Sequence, residues 1–221
     1  MFSKCILIPA RGGSKGIPKK NLYALHNKPL IYYPIHAASN SCIEEIYVST
    51  DCEEIATASR LYGAEVISRP PQISGDLSTD LEVFQHFIKT SKTSYDYIVH
   101  LRATFPKITG EIINEVCQKF ENSFSKADSL RSVIQSKENP YKMWHIKKNY
   151  LRPVIPANKF HSSPRQIIES SYTQNACIDI VKVSTIREKK SMVGDYCLAH
   201  QMSSEYDYDI DTIEDIERRK W

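Results

Sequence analysis

The sequence predicts an α/β fold built on a mostly parallel sheet with helices on both faces. Three observations lead there. Short apolar, β-branched segments alternate with segments of helical spacing, and several of those short segments run directly into polar residues. The composition, 41% hydrophobic and 25% charged over 221 residues, allows one sizeable core. Strands are expected at 4–9, 45–50, 64–68, 97–101, 130–135 and 176–181, where runs such as Cys5-Ile6-Leu7-Ile8 fit a strand buried on both faces. Helices are expected at 28–41, 52–62, 79–91 and 111–120. The 79–91 segment sets Leu81, Phe84 and Ile88 on one face, 111–120 does the same with Ile112, Val116 and Phe120, and Gly63 suits the position after a helix end. Strand–helix–strand repetition implies right-handed crossovers, and ligands of such sheets bind beyond the carboxyl ends of the strands.

Four of those ends carry polar groups: the 9–21 loop, Asp51, Arg69 and Arg102. The first is the most informative. Pro9-Ala10-Arg11-Gly12-Gly13-Ser14-Lys15-Gly16-Ile17-Pro18-Lys19-Lys20-Asn21 follows an apolar strand and holds four cations among three glycines. Glycines let backbone N–H groups approach phosphate oxygens, and Arg and Lys offset the charge. The loop matches neither G-x-x-x-x-G-K-[ST] nor G-x-G-x-x-G, so the common mononucleotide and dinucleotide fingerprints lose their support. A solvated basic turn is the alternative reading.

The formal net charge of +3 is small and the cations form no long run, which argues against a general nucleic-acid binder. The apolar run after Met1-Phe2-Ser3-Lys4 is too short for a signal-peptide core, and no stretch reaches the length of a membrane span. Six scattered cysteines without a C-x-x-C pair suit buried thiols in a reducing compartment, so the cytoplasm is the expected location. From 136 to 163 the alternation gives way to Asn139-Pro140-Tyr141-Lys142-Met143-Trp144 and Leu151-Arg152-Pro153-Val154-Ile155-Pro156. We read this part as an arm making a subunit contact within a single 1–221 domain, with a flap packed on its own domain as the alternative.

A second constellation lies near the C-terminus. In Asp209-Ile210-Asp211 the two carboxylates are two residues apart, and in an extended segment they point the same way. Two hard oxygen ligands suit Mg²⁺, which takes its remaining ligands from water and substrate phosphates. Asp211 with Glu214 also fits a capping box for a helix from Thr212. A cationic glycine loop together with a carboxylate metal site is what a nucleoside triphosphate attacked at phosphorus requires.

The 8–21 segment resembles the signature loop of CMP-sugar synthetases of the acylneuraminate cytidylyltransferase family. The likeness continues in order through Ser49-Thr50-Asp51, Arg69-Pro70, Ser74-Gly75-Asp76-Leu77-Ser78-Thr79-Asp80, Pro164-Arg165-Gln166, Asn175 and Asp209-Ile210-Asp211. The resemblance implies a three-layer Rossmann-like nucleotidyltransferase (nucleotide-diphospho-sugar transferase) fold with a small dimerisation excursion. The implied reaction is CTP plus a nine-carbon 2-keto sugar acid giving CMP-sugar and pyrophosphate. By the same resemblance Arg11, Ser14 and Lys20 hold the triphosphate, with Ala10, Gly12, Lys15 and Asn21 beside it. Arg69 and Ser78 lie near cytosine and ribose, and Asp209 and Asp211 hold Mg²⁺. Arg102, Lys142, Arg165, Gln166 and Asn175 face the sugar acid, with Lys142 able to serve the partner of a homodimer. Arg11, Lys20 and Asp211 are the catalytic candidates.

The chain departs from its relatives on the presumed sugar side. Many read Gln-Pro-Thr-Ser-Pro where this chain has Arg102-Ala103-Thr104-Phe105-Pro106, Asn-Gly where it has Asn175-Ala176, and Leu-Pro where it has Ile168-Glu169. These changes point away from sialic acid itself. The 74–84 and 140–144 segments resemble the legionaminic-type branch; pseudaminic acid or the eight-carbon acid Kdo, and a non-catalytic nucleotide-sugar binder, are the alternatives.

Overall fold

A computed structural model describes residues 2–156 and 159–218; Ala157 and Asn158 of the arm, and Met1 and Arg219, Lys220 and Trp221 of the 1–221 span, lie outside them. The central sheet has seven strands: β1 (Lys4–Pro9), β4 (Ile46–Thr50), β5 (Glu65–Ser68), β6 (Tyr97–Leu101), β7 (Ser129–Gln135), β10 (Tyr172–Lys182) and β11 (Cys197–Met202). Their order is β11-β7-β10-β6-β1-β4-β5. Of the seven, β10 alone opposes its neighbours, β6 and β7; the remaining pairs are parallel.

Alternation along β1 builds two cores. Ile6 and Ile8 face one apolar layer with Ile31 and Ile35, with Ile55, and with Ile113, Val116 and Phe120. These come from α1 (Tyr32–Ser39), α2 (Glu53–Leu61) and α4 (Gly110–Asn122). Cys5 and Leu7 face the other layer, made by Val83, Phe84 and Phe87 of α3 (Asp80–Thr90) and by Val183 and Ile186 of α5 (Val183–Glu188). The result is three layers with both sheet faces covered, as a mainly parallel sheet requires.

Two expectations are corrected. The first helix begins at Tyr32, four residues late, because Lys28–Pro29 (β3) pairs with Ala24–Leu25 (β2) in a small hairpin. At the C-terminus the helix cap is Thr212 with Asp215, not Asp211 with Glu214. The Thr212 hydroxyl accepts from the Asp215 N–H at 3.3 Å, and Asp215 Oδ2 accepts from the Thr212 N–H at 2.8 Å, starting α6 (Ile213–Arg218). That shift leaves the Asp211 carboxylate out of the cap.

Part of the 136–163 segment forms a separate antiparallel hairpin of β8 (Trp144–Lys147) and β9 (Tyr150–Pro153). Lys148 and Asn149, both at positive φ, close it as a two-residue turn. Ile146 is 78% exposed and Tyr150 70%, with Leu151 and Trp144 also open to solvent. The six cysteines are free thiols, and no helix among the described residues is long and apolar enough to cross a membrane.

Gly110, at the first turn of α4, is where the helical layer closes. A Cβ there would lie 2.2 Å from the carbonyl oxygen of Asn40, just beyond α1. Gly110→Ala therefore sets a helix-propensity gain of about 1 kcal/mol against an overpacking cost of about 1–3 kcal/mol. We expect a net loss of stability in urea denaturation; a stabilised variant would show that the two helices can move apart freely.

Candidate active site

The loop after β1 is shaped by hydrogen bonds to the neighbouring strand and by a small apolar cluster of its own. The Ala10 N–H donates to the carbonyl of Ser49 at 2.9 Å, and the Gly12 N–H to Asp51 Oδ1 at 2.8 Å. Asn21 Nδ2 donates to the Arg11 carbonyl at 2.9 Å, tying the end of the loop to its beginning. Ile17 is buried against Leu25, Leu30 and Ile210. The loop is thus clamped on the 209–211 segment, and Gly16 lets it come close: an added Cβ would meet the Asp211 carbonyl oxygen at 2.2 Å. Lys20 completes the tie, its Nζ donating to Asp211 Oδ1 at 2.8 Å and to the Ile210 carbonyl at 3.0 Å.

Beyond the carboxyl ends of β1, β5 and β6 lies a cavity of about 590 Å³. One wall carries Arg11, Ser14, Lys15, Lys20, Asn21 and Asp211; the facing walls carry Arg69 and Ser78, then His100, Arg102 and Thr104. Arg11 and Lys15 meet a carboxylate that the sequence reading did not assign. Asp76 accepts from Arg11 Nη1 at 2.9 Å and pairs with Lys15 at 2.6 Å, and those two cations hold its carboxyl below the usual range, Lys15 foremost. Arg69 is buried; its Nε donates to Ser49 Oγ at 3.1 Å and its Nη2 to the Ser49 carbonyl at 2.6 Å. Burial lowers its pKa, though a guanidinium keeps its proton regardless.

Asp209 and Asp211 flank the buried Ile210. Burial raises the Asp209 carboxyl above the ordinary carboxylate range, a Thr104 hydrogen bond opposes that, and the Asp211 charge raises it further. Asp211 is in the cavity wall and Asp209 is not, but they are near enough for one charge to act on the other, and two carboxylates are donors of the kind a hard divalent cation takes.

The structure brings together Arg11, Ser14, Lys15, Lys20, Asn21, Arg69, Ser78, Arg102 and Asp211 on one cavity. Ala10 and Gly12 lie in the loop backbone behind it, Ala10 buried, and a Cβ on Gly12 would sit 2.9 Å from the Cys52 Cβ. Asp51 serves the loop through Gly12. Among the described residues the cavity wall holds none of Lys142, Arg165, Gln166 and Asn175. Lys142 ends a short turn before the β8–β9 hairpin, and Arg165 lines a separate small cleft of about 150 Å³ with Ser136 and Ser170. Gln166 lies in the same turn as Arg165. Asn175 is buried, its Nδ2 donating to the Tyr206 carbonyl at 3.0 Å.

Sequence reasoning passed over Asp76, His100 and Asp179. For Asp179 a signal existed: a lone carboxylate inside Cys177-Ile178-Asp179-Ile180-Val181 is a charge in a core strand, which is uncommon without a partner.

The chain is similar to known proteins both in sequence and in fold. The chain is 30% identical over 214 residues to an N-acylneuraminate cytidylyltransferase of Streptococcus agalactiae, covering 95% of this chain and 51% of that protein. It is 44% identical over 116 residues to N-acylneuraminate cytidylyltransferase B of Danio rerio, covering 52% of this chain and 27% of that protein. A pseudaminic acid cytidylyltransferase of Campylobacter jejuni is 39% identical over 131 residues, 57% of this chain and 56% of that one. The matched stretch spans from about a quarter to just over half the length of these curated relatives. In fold it is similar to a CMP:2-keto-3-deoxy-manno-octonic acid synthetase solved in complex with CTP, with a TM-score of 0.71 at 15% identity over 98% of this chain and 96% of that one. It is similar also to 4-diphosphocytidyl-2C-methyl-D-erythritol synthase of Anaerococcus prevotii, with a TM-score of 0.63 at 12% identity, covering 98% and 96%. With residues 5–220 matching the cytidylyltransferase family, the loop, the sheet and the cavity have one common explanation, and the chain belongs to that family.

Proposed function

We propose that this chain transfers CMP from CTP to the anomeric hydroxyl of a nonulosonic acid, of sialic or legionaminic type, and releases pyrophosphate. The observation that carries the reading is the convergence of four loop residues, Arg11, Ser14, Lys15 and Lys20, with Asp211 on a single cavity. The anomeric oxygen forms a bond to the α-phosphorus, the bond from that phosphorus to the β-phosphate bridging oxygen breaks, and the hydroxyl proton is released to water. Arg11 and Lys20 offset the charge of the triphosphate and of the leaving pyrophosphate. Arg69 and Ser78, on the facing wall, suit the nucleoside, and Arg102 the acid. Asp209 and Asp211 would hold Mg²⁺, which supplies charge neutralisation at phosphate oxygens.

Identity to both an N-acylneuraminate and a pseudaminic acid cytidylyltransferase supports a nine-carbon 2-keto acid as the class. The free thiols support the reducing cytoplasm as the place of reaction. A two-stranded hairpin is marginal by itself, and β8–β9 exposes Ile146 and Leu151, which pair across the two strands, on one face. We assign that face to a second copy of the chain, which would bring Lys142 toward the partner's cavity.

Pyrophosphate release from CTP and Mg²⁺, measured with sialic, legionaminic and pseudaminic acids and with Kdo as outlier, tests the reaction. Turnover is expected with at least one nine-carbon acid, and Asp211→Ala should lower it ~10²-fold or more while the protein stays folded. Silence across all four acids with CTP binding intact would favour a nucleotide-sugar binder.

Asp76 competes with the triphosphate for Arg11 and Lys15. Exposed ion pairs are weak and screened by salt, so Asp76→Asn should tighten CTP only about 2–5-fold by calorimetry, most clearly at low salt. Unchanged or weaker binding would mean that the nucleotide leaves the Asp76 pairs in place.

Sedimentation at micromolar concentration is expected to give a dimer, and Ile146→Asp with Leu151→Asp a monomer. A monomeric parent protein would remove the arm from the interface.

A further inference from the structure

Beneath the sugar-side wall of the cavity lies a charged cluster inside the sheet. Asp179 stands in the middle of β10, opposite His100 on β6 and opposite Arg131 on β7. Two residues beyond His100, at the end of β6, comes Arg102. One carboxylate oxygen, Asp179 Oδ2, gathers the cluster: Arg102 Nη2 donates to it at 2.9 Å and Gln174 Nε2 at 3.1 Å, while Arg131 Nε is 3.7 Å away and His100 Nδ1 4.0 Å. Gln174 reaches it because β10 bulges between Gln174 and Asp179, with Ala176 at a φ of 59°. The amide of Gln174 is in turn fixed by Arg131 Nη1, which donates to Gln174 Oε1 at 3.1 Å.

The cluster is unevenly exposed. The Asp179 side chain is 6% exposed and Arg102 20%, and of the two only Arg102 is in the cavity wall. His100, deeply buried and beside Arg102, is held neutral, its pKa far below the ordinary value. Two guanidinium groups therefore share one buried carboxylate. Asp80 approaches Arg102 as well, at 3.8 Å, but is half exposed and too distant for a hydrogen bond. Arg102 Nη1 is buried with no hydrogen-bond partner among the described residues. An unsatisfied buried donor costs about 1–3 kcal/mol, and the exposed fifth of the Arg102 side chain is what the cavity offers to an anionic ligand. A guanidinium held at one nitrogen, with another left for a carboxylate, is a preorganised receptor.

We propose that Asp179 is a positioning residue that holds Arg102 as the receptor for the carboxylate of the sugar acid. This deepens the reading above and rests on it. Arg165, another of the cations expected from the resemblance to face the sugar acid, lies on another cleft of the same chain, whereas Arg102 is on the cavity itself. The Arg102–Asp179 pair, one member in the cavity wall and the other buried behind it, is a specificity device. It accepts a charged group through two residues that must be present together.

The test compares the wild type with Asp179→Asn, Arg102→Gln and the double variant, using the best acid of the panel and its methyl ester at saturating CTP. Asp179→Ala is avoided because a buried cation stripped of its partner can unfold the protein. Asp179→Asn is expected to raise the KM of the acid at least ten-fold with the KM of CTP within two-fold of wild type. Wild type should prefer acid to ester, the single variants should lose that preference, and the double variant should be no worse than Arg102→Gln. A fold defect would not erase acid-over-ester discrimination selectively. Turnover with unchanged discrimination in folded Arg102→Gln or Asp179→Asn overturns this inference alone. Failure of every acid to turn over or bind overturns it together with the reaction. Should Asp179→Asn not fold, the discrimination by Arg102→Gln, at a partly exposed position, decides.

Discussion

The tie between Lys20 and Asp211 joins parts of the chain 191 residues apart, and the site depends on it. It works because the surroundings are apolar: Ile17 and Ile210 are buried in the same small cluster, so the loop and the C-terminal segment dock by burial before any charge is counted. Gly16 sets the distance, since a side chain there would collide with the Asp211 backbone. Once docked, the loop holds Arg11, Ser14, Lys15 and Lys20 over the strand ends at little further entropic cost. This is preorganisation in the sense that matters for catalysis, where charge must be in place before charge develops.

Gathering so many cations requires local acceptors. Each of the main ones has its own: Arg69 the Ser49 hydroxyl and carbonyl, Lys20 the Asp211 carboxylate, Arg11 and Lys15 the Asp76 carboxylate, Arg102 the buried Asp179. The acceptors differ in character. Ser49 and Asp179 lie inside the sheet and have a fixed position, so the guanidinium groups on them are oriented for good. Asp76 is exposed on a loop, so its contacts are weak and exchangeable for a phosphate. Fixed partners hold Arg69 and Arg102, and exchangeable partners hold Arg11 and Lys15.

Much of the architecture was legible beforehand. The strands 4–9 and 97–101 occupy those residues, and the helices 79–91 and 111–120 are shifted only at their ends, because apolar periodicity is a local property of the chain. Thr79 and Thr109 cap α3 and α4 through their side chains. β11 escaped notice: Cys197-Leu198-Ala199-His200-Gln201-Met202 is an edge strand with few β-branched residues and only alternate burial. The opposed direction of β10 was equally hidden. The crossover from β6 sets β7 two places away, and β10 fills the gap in reverse, a pairing that spacing along the chain does not encode.

By itself the sequence determined the strand–helix alternation, the cationic loop at a strand end and the carboxylates at 209 and 211. These follow from residue type at short range, where periodicity and backbone freedom act. Only the tertiary structure decided which cation meets which carboxylate: Lys20 with Asp211, Arg11 and Lys15 with Asp76, Arg102 with Asp179. It also turned Asn175 into a buried tie to the Tyr206 carbonyl and left Arg165 on a different cleft. The reason is physical: an ion pair or a buried donor is specified by distance and desolvation in three dimensions, and both are set by how the strands and loops pack.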